Sequence, residues 1–246
     1  MRVDVLLESF GSRWPEIRDG ALAAERAGFD GVWLNDHLAG SVEGASHVLE
    51  CWTVLSALAV EVPRIALGPL VLNVANRDPG TLAVMAATLQ HVSGGRLLLG
   101  LGAGARAGTS YAIEQEALGR LVLSGPERRR SVERTIAILR QVWSGAVAPA
   151  AGFLRPEPVP PILVAALGPK MAELVAVARR ACARSGRDPK RLLVTGSLAT
   201  PPERTQLPVG LDADRLILYV APPFDEGVAR LGEIVRQWTA EASCRE

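Results

Sequence analysis

The sequence predicts an α/β protein in which helices cover a parallel β-sheet. Runs rich in Leu and β-branched residues alternate with helical stretches at a spacing of roughly 30 residues. The run 97–102 is apolar without alternation, which is typical of a parallel strand buried on both faces. The 246 residues are 48% hydrophobic and 22% charged, enough for a large core. We therefore expect a single domain spanning residues 1–246.

Seven segments of the chain have the composition of strands. They are 3–9, 31–36, 65–73, 97–102, 162–167, 192–198 and 215–220. This alternation fits both a closed barrel and an open, doubly wound sheet. A standard barrel of this kind has eight strands, so the count is one short.

The helices are predicted from apolar stripes and from residues that start or stop a helix. They cover 14–27, 48–62, 79–92, the stretch between Ser124 and Gly145, 169–185, and a last helix that begins after a capping Asp225. Gly28 suits the left-handed position after the first helix. Asp78 caps the third, with Pro79 at its first position. The spacing of Ser124 and Glu127 is that of a capping box.

Composition excludes several classes of function. Lys+Arg total 27 and Asp+Glu 26, so there is no basic excess for a nucleic acid. The three cysteines are far apart and odd in number, which favours a reduced, cytoplasmic compartment over a disulfide framework. An acid follows Met1 too closely for a signal peptide, and no apolar run is long enough to cross a membrane. We expect a cytoplasmic protein whose partner is a small molecule.

The sharpest chemical feature is the sequence Asn35-Asp36-His37 at the end of the second predicted strand. Ligands of parallel α/β proteins bind at the carboxyl ends of the strands. An imidazole there can act as a general acid near neutral pH, with Asp36 or its backbone orienting it. The plainer alternative is an Asp that caps a loop and a His that satisfies it.

Two turns after predicted strands are candidates for holding a cofactor. Residues 100–105 match G-x-G-x-x-A, but 106–110 predict a loop and no acid follows at the spacing of a dinucleotide site. We interpret these glycines as letting a flat ring or a phosphate approach bare backbone. The turn at 165–171 leads into a helix N-terminus and includes Lys170, which suits a phosphate, or a simple turn with a solvated lysine. His37, His47 and Cys51 match no usual metal spacing, so we expect no metal.

Taken together, these segments resemble the bacterial-luciferase-like family of flavin- and deazaflavin-dependent oxidoreductases. The strongest match runs from 87 through 104, including A-T-L-Q-H-V-S-G-G-R and L-G-L-G-A-G. Further matches are 27–33 leading to Asp36-His37, E-x-E-A-L-G-R at 114–120, 161–170 and 185–189.

The resemblance implies a TIM-type (β/α) barrel that binds FMN or the deazaflavin coenzyme F420 at the carboxyl ends of its strands. It implies that His37 is a proton donor beside the ring and that Leu70-Val71 forms a non-prolyl cis peptide behind it. The cofactor-binding positions that it implies are Asp36, Leu70, Val71, Asn73, Ala103, Gly104, Leu167, Gly168, Lys170 and Met171. Because such proteins commonly form dimers, a homodimer is also expected.

Two departures from the family pattern matter. Ala105 stands where sugar-phosphate-oxidising members carry a glutamate. The helix after Gly168 also runs directly into 182–189, where relatives have another strand, so this barrel is predicted to lack one βα unit and to have about seven strands. A nonfluorescent flavoprotein branch of the family has a seven-stranded precedent.

The predicted function is that of a luciferase-like oxidoreductase. It would use reduced F420 or FMN for hydride transfer to, or monooxygenation of, a small organic substrate. The alternative is a non-catalytic flavin-binding protein derived from the family by deletion. The Gly-Pro-Leu-Val and Asn-Arg-Asp-Pro segments favour F420 slightly.

Overall fold

The computed structural model describes residues 1–146, 152–164, 179–180, 182–184, 186, 195–198 and 213–243. Its strands are β1 (Arg2–Leu7), β2 (Gly31–Leu34), β3 (Ala66–Pro69), β4 (Leu72–Asn73), β5 (Leu99–Gly102), β6 (Ile162–Val164), β7 (Thr195–Leu198) and β8 (Arg215–Val220). Its helices are α1 (Trp14–Ala27), α2 (Cys51–Glu61), α3 (Pro79–Val92), α4 (Ser110–Ala117), α5 (Gly125–Ser144) and α6 (Phe224–Ser243), with helical residues also at 179–180 and 182–184.

The strands are parallel and follow one another around the sheet in the order β7-β8-β1-β2-β3, with β4-β5-β6 as a second group. A parallel bridge between Leu67 and Leu97 joins the two groups. The segments β3 and β4 belong to one predicted strand that is interrupted at Leu70-Val71, whose peptide bond is cis as predicted. The described residues therefore contain the seven strands that were predicted.

The pairing of β1 with β8 distinguishes the barrel from the open sheet. The two strands are in register from Arg2 opposite Arg215 to Leu7 opposite Val220. Among the described residues, the last strand thus lies beside the first, and their strand order does not reverse as it does in a doubly wound sheet. No pairing between β6 and β7 occurs among the described residues. The predicted helix 169–185, and with it the predicted loss of one βα unit, lies almost wholly outside them.

Local sequence signals explain the helix ends. Gly28 follows α1 with φ 87°, Asp78 accepts from the Thr81 N–H at the start of α3, and Ser124 and Glu127 form the capping box of α5. Other boundaries differ from prediction. Helix α2 begins at Cys51 rather than 48, because the Glu50 carboxylate caps it by accepting from the N–H groups of Trp52 and Thr53 at 3.0 and 2.7 Å.

Two more boundaries needed correction. Helix α6 begins at Phe224, so Asp225 lies in its first turn instead of capping it. Helix α4 was not predicted; residues 106–109 form the expected loop, and the helix begins directly after it.

The core has two parts, because successive residues of a strand point to opposite faces. The larger part packs the strands against the helices and includes Leu7, Leu55 and Leu99. The smaller part fills the inside of the sheet and consists of Leu6, Trp33 and Ile217, with Leu70, Leu98, Leu163 and Tyr219 packed against it.

This inner packing needs a glycine in β3. A Cβ at Gly68 would lie 2.1 Å from the carbonyl oxygen of Leu98 and 2.9 Å from the ring of Trp33. In the described part of the chain, no helix combines the length and apolar character that a membrane crossing requires.

Candidate functional site

The carboxyl ends of the strands bring polar side chains to one rim. Glu8 follows β1, His37 follows β2, Asn73 ends β4, Ala103 follows β5 and Tyr219 lies near the end of β8. Because parallel strands end at the same edge of a sheet, these five positions share the mouth of the barrel. Residues that were far apart in sequence thereby surround one space.

His37 is held by a carboxylate from α4. Its Nδ1 lies 3.1 Å from Oε1 of Glu114, and the other oxygen of Glu114 accepts from the N–H groups of Leu38 and Ala39 at 3.0 and 3.2 Å. The Glu114 side chain is 3% exposed, whereas that of His37 is 24% exposed. Glu114 thus fixes both the imidazole and the loop that carries it, and leaves the ring within reach of a ligand.

The charge of Glu114 defines which nitrogen of His37 carries a proton. Burial raises the pKa of Glu114, but the hydrogen bonds from His37, Leu38 and Ala39 outweigh burial and hold it below its usual value. An ionised carboxylate only accepts hydrogen bonds, so Nδ1 of His37 must be the donor. The other ring nitrogen, Nε2, is then the one that can exchange a proton with a substrate.

Two aromatic rings pack against the imidazole. The ring centroid of His37 lies 5.2 Å from that of Phe10 and 5.0 Å from that of Tyr111, with interplanar angles of 38° and 31°. These contacts restrict the rotation of the ring in addition to the hydrogen bond.

Asp36 has a different role from the one its sequence position suggested. Its buried carboxylate accepts from the Asn73 N–H at 2.8 Å and from both terminal nitrogens of Arg77 at 2.9 Å. Burial lowers the pKa of Arg77, but Asp36 and Glu50 outweigh it and raise that pKa. Asp36 therefore ties the end of β2 to the segment after β4. Of the hypothesis that Asp36 or its backbone orients His37, the part concerning the Asp36 carboxylate is wrong, because Glu114 makes the hydrogen bond to the imidazole.

Gly102, the last residue of β5, and Gly104 have a packing role that the sequence did not reveal. A Cβ at Gly102 would lie 2.5 Å from Cγ2 of Val71, and one at Gly104 would lie 2.6 Å from Oδ1 of Asn73. Their missing side chains make room for the protein's own segment 71–73, so packing within the chain already requires glycine at both positions. Ala103, between them, packs partly against the outer core.

The remaining predicted cofactor positions divide into two groups. Leu70, Val71 and Asn73 lie at the mouth; Asn73 accepts from the Ala75 N–H at 2.9 Å and donates to the Gln115 side chain at 3.3 Å. The predicted phosphate turn, Leu167, Gly168, Lys170 and Met171, lies outside the described residues. Its role stays a prediction, as do the cofactor contacts of Asp36, Leu70, Val71, Asn73, Ala103 and Gly104 and the proton transfer by His37.

An apolar platform lies inside the mouth. Leu70, Leu163 and Tyr219 are only partly buried and rest on the buried side chains of Leu6, Trp33 and Ile217. These six side chains come from β1, β2, the segment after β3, β6 and β8, so the surface exists only in the folded barrel. A planar aromatic group can stack on such a surface.

Sequence reasoning missed several residues of this site. The Tyr219 hydroxyl donates to Glu8, and the Tyr111 hydroxyl donates to Glu43. Glu8 lies inside the predicted strand 3–9, so the rule that found His37, a polar residue directly after a predicted strand, did not find it. Glu114 lies 77 residues from His37 in sequence, and only its place in the E-x-E-A-L-G-R segment drew attention to it.

Comparison with known proteins defines the class. The sequence profile described as luciferase-like monooxygenase matches residues 1–192. The chain belongs to this family, as its motifs had indicated.

Several relatives are named as F420-dependent enzymes. The chain is 32% identical over 195 residues to an F420-dependent glucose-6-phosphate dehydrogenase of Microbacterium testaceum, covering 74% of this chain and 56% of the relative. It is 31% identical over 183 residues to an F420-dependent hydroxymycolic acid dehydrogenase of Mycobacterium tuberculosis, covering 70% of this chain and 49% of the relative. The chain thus spans about half the length of the curated relatives it matches.

Solved structures confirm the fold class. An F420-dependent secondary alcohol dehydrogenase in complex with an F420-acetone adduct superposes with a TM-score of 0.74 at 15% identity, covering 96% of this chain and 98% of that one. An EDTA monooxygenase from Chelativorans sp. BNC1 superposes with a TM-score of 0.64 at 18% identity, covering 84% and 63%. At these identities the likeness concerns the fold alone, and the predicted TIM-type fold class is confirmed.

Proposed function

We propose that this protein is an oxidoreductase that binds reduced F420 or FMN in the mouth of its barrel and acts on a small organic substrate. The observation that carries the proposal is that His37, 24% exposed and fixed by Glu114, shares the mouth of the barrel with the apolar platform of Leu70, Leu163 and Tyr219. A flat redox ring and a positioned proton donor are the two parts that this chemistry requires. The names of the relatives support F420 in particular.

The described residues fit such a ring. Leu70 and Leu163 supply an apolar face. Polar groups stand at its border rather than beneath it, namely His37 and Glu8. Lys170 and Gly168 are the residues proposed to hold the phosphate or side chain of the cofactor.

The protein's own residues would then control the proton and the water around the ring. When bound, the reduced cofactor supplies a hydride, or in the case of FMN reacts with oxygen. His37 would hold a proton on Nε2 and exchange it with the substrate, while Glu114 stabilises the charged imidazole. Phe10 and Tyr111 flank the imidazole and limit the access of water to it.

The test has two stages on the same purified protein. In the first, F420 and FMN are titrated separately, and binding is followed by the absorbance and fluorescence of the cofactor. We expect stoichiometric binding of at least one of them. If neither binds, the proposal is wrong.

The second stage compares His37→Ala with His91→Ala, a matched change of an exposed histidine in the last turn of α3. We expect His37→Ala to bind the cofactor normally and to lower turnover by about 10²- to 10⁴-fold, the usual share of general acid catalysis. His91→Ala should behave as the unmodified protein. Cofactor binding without turnover of any alcohol, carbonyl or oxygenation substrate would instead favour the non-catalytic flavin-binding protein.

A further inference from the structure

The wall of the mouth beside His37 is built from carboxylates and phenols. Glu8 accepts from the Tyr219 hydroxyl, and its other oxygen accepts from the Phe10 N–H at 3.1 Å. Next to it, Glu43 accepts from the Tyr111 hydroxyl, and the ring of Tyr111 packs on His37. The wall thus reaches from β8 across β1 to the imidazole.

The hydrogen bonds of this wall leave acceptors free rather than donors. Both phenols have already donated their single protons to carboxylates. A carboxylate has about four lone-pair positions, and Glu8 uses two in the contacts described. A substrate group that meets Glu8 and Tyr219 must therefore bring its own donor hydrogen.

The wall also carries negative charge. Burial and the hydrogen bond to Glu8 raise the pKa of Tyr219, and the charge of Glu43 adds to this effect. The hydrogen bond to Glu43 and burial raise the pKa of Tyr111, and the charges of Glu114 and Glu8 add to it. Both phenols keep their protons; Glu8 and Glu43 act on both hydroxyl groups, and Glu114 acts on that of Tyr111.

We infer that the Glu8–Tyr219 pair determines substrate specificity by binding a hydroxyl or ammonium donor, so that the pocket takes neutral or cationic alcohols and amines in preference to phosphate esters. The inference rests on the proposed function, since it concerns the substrate of that site. A phosphate dianion offers no donor and meets like charge on this wall. Several relatives are named for a phosphorylated sugar, and we propose that this chain prefers a different class.

The test uses three ligands that share one ring: cyclohexanol, cyclohexylammonium and cyclohexyl phosphate. Their affinities are measured by ligand-observed NMR for the protein as purified and again after saturation with whichever cofactor binds. We expect the alcohol and the ammonium ion to bind at least about tenfold more tightly than the phosphate, the effect of one nearby charge at intermediate dielectric. Glu8→Gln should reduce this ratio several-fold, and Tyr219→Phe should weaken the alcohol while leaving the phosphate unchanged.

Glu61→Gln is the matched control, because this exposed carboxylate ends α2 and therefore lies at the opposite, amino end of the barrel. It should leave all three affinities unchanged. Phosphate binding as tight as that of the alcohol, no binding of the alcohol, or a ratio that Glu8→Gln does not alter would each overturn the inference. If neither cofactor binds but the alcohol and the ammonium ion still bind more tightly than the phosphate, the proposed function alone is contradicted.

Discussion

Each end of the barrel contains a buried carboxylate bound to a basic side chain, and the two pairs differ in exposure and in the bonds that they make. At the amino end, Asp4 of β1 binds Arg215 of β8, with side chains that are 0% and 8% exposed. At the carboxyl end, Glu114 holds His37, which is 24% exposed. The first pair is sealed inside the protein, and the second opens to the mouth.

The sealed pair is too deeply buried for a ligand to reach. Asp4 also accepts from Nε1 of Trp33 at 2.7 Å, and Gly31 is needed beside it because a Cβ there would lie 3.0 Å from Oδ1 of Asp4. The open pair leaves one nitrogen of His37 available. A charged pair in a barrel stabilises the fold when all of its hydrogen bonds are made within the protein. It can take part in a reaction when one of its nitrogen or oxygen atoms stays accessible to a ligand.

The largest effect is expected from Arg215→Met. Removing one partner leaves the buried charge of Asp4 uncompensated, which costs about 3–5 kcal/mol of the free energy of unfolding. Urea denaturation at pH 7 measures this cost, and the double variant Asp4→Leu/Arg215→Met should regain part of it. Arg18→Met breaks an exposed pair with Asp19 and serves as the control. Equal effects of Arg215→Met and Arg18→Met would show that burial does not define the role of the amino-end pair.

An intermediate effect on stability is expected from Glu114→Ala. The variant loses one contact to His37 and leaves two backbone N–H groups of the loop unpaired, which costs about 2 kcal/mol. Turnover should fall as well, since the imidazole loses its orientation. Glu116→Ala changes an exposed carboxylate on the same helix and should alter neither property. A loss of stability without any change in turnover would show that Glu114 supports only the loop.

The smallest effect, and the one that separates the two ends most cleanly, is the response to acid. Hydrogen bonding lowers the pKa of Glu114, so its contribution is present above its unfolded pKa and is lost as the pH falls through its folded pKa. Burial raises the pKa of Asp4, only partly offset by Arg215 and Trp33, so the pH dependence of its contribution has the opposite sign. It is complete below the unfolded pKa and is lost as the pH rises through the folded one.

Free energies of unfolding from pH 7 to 4 would check these signs. The advantage of the unmodified protein over Glu114→Gln should shrink as the pH falls, and its stability relative to Asp4→Asn should grow. If both differences move in the same direction, one of the two pKa directions is wrong.

The order of strands and most helix ends could be predicted because their signals are local. Gly28, Asp78 and the Ser124–Glu127 box act within one turn of chain, and an apolar run identifies a strand without its partners. The start of α2 was predicted too early, at residue 48, because the apolar stripe begins before Glu50. The Glu50 carboxylate caps the helix, which starts at Cys51.

The site could be predicted only in part. His37 directly follows the predicted strand 31–36 and was found, but its partner Glu114 comes from a helix 77 residues away. The glycines after β5 were seen, yet their neighbours Val71 and Asn73 are known only once β4 lies beside β5. Contacts between distant segments depend on the packing of the whole barrel, which periodicity and capping do not encode.

The central claim is that the redox cofactor binds at the end of the barrel that holds His37. The chain has three histidines, so their side-chain NMR resonances are few, and His37→Gln and His91→Gln assign the two that matter. Titration with F420 or FMN should shift the resonances of His37. The resonances of His91, which lies in the last turn of α3 and therefore at the amino end of the barrel, should stay unchanged. Cofactor binding that leaves His37 unmoved, or that shifts His91 as much, would contradict the account.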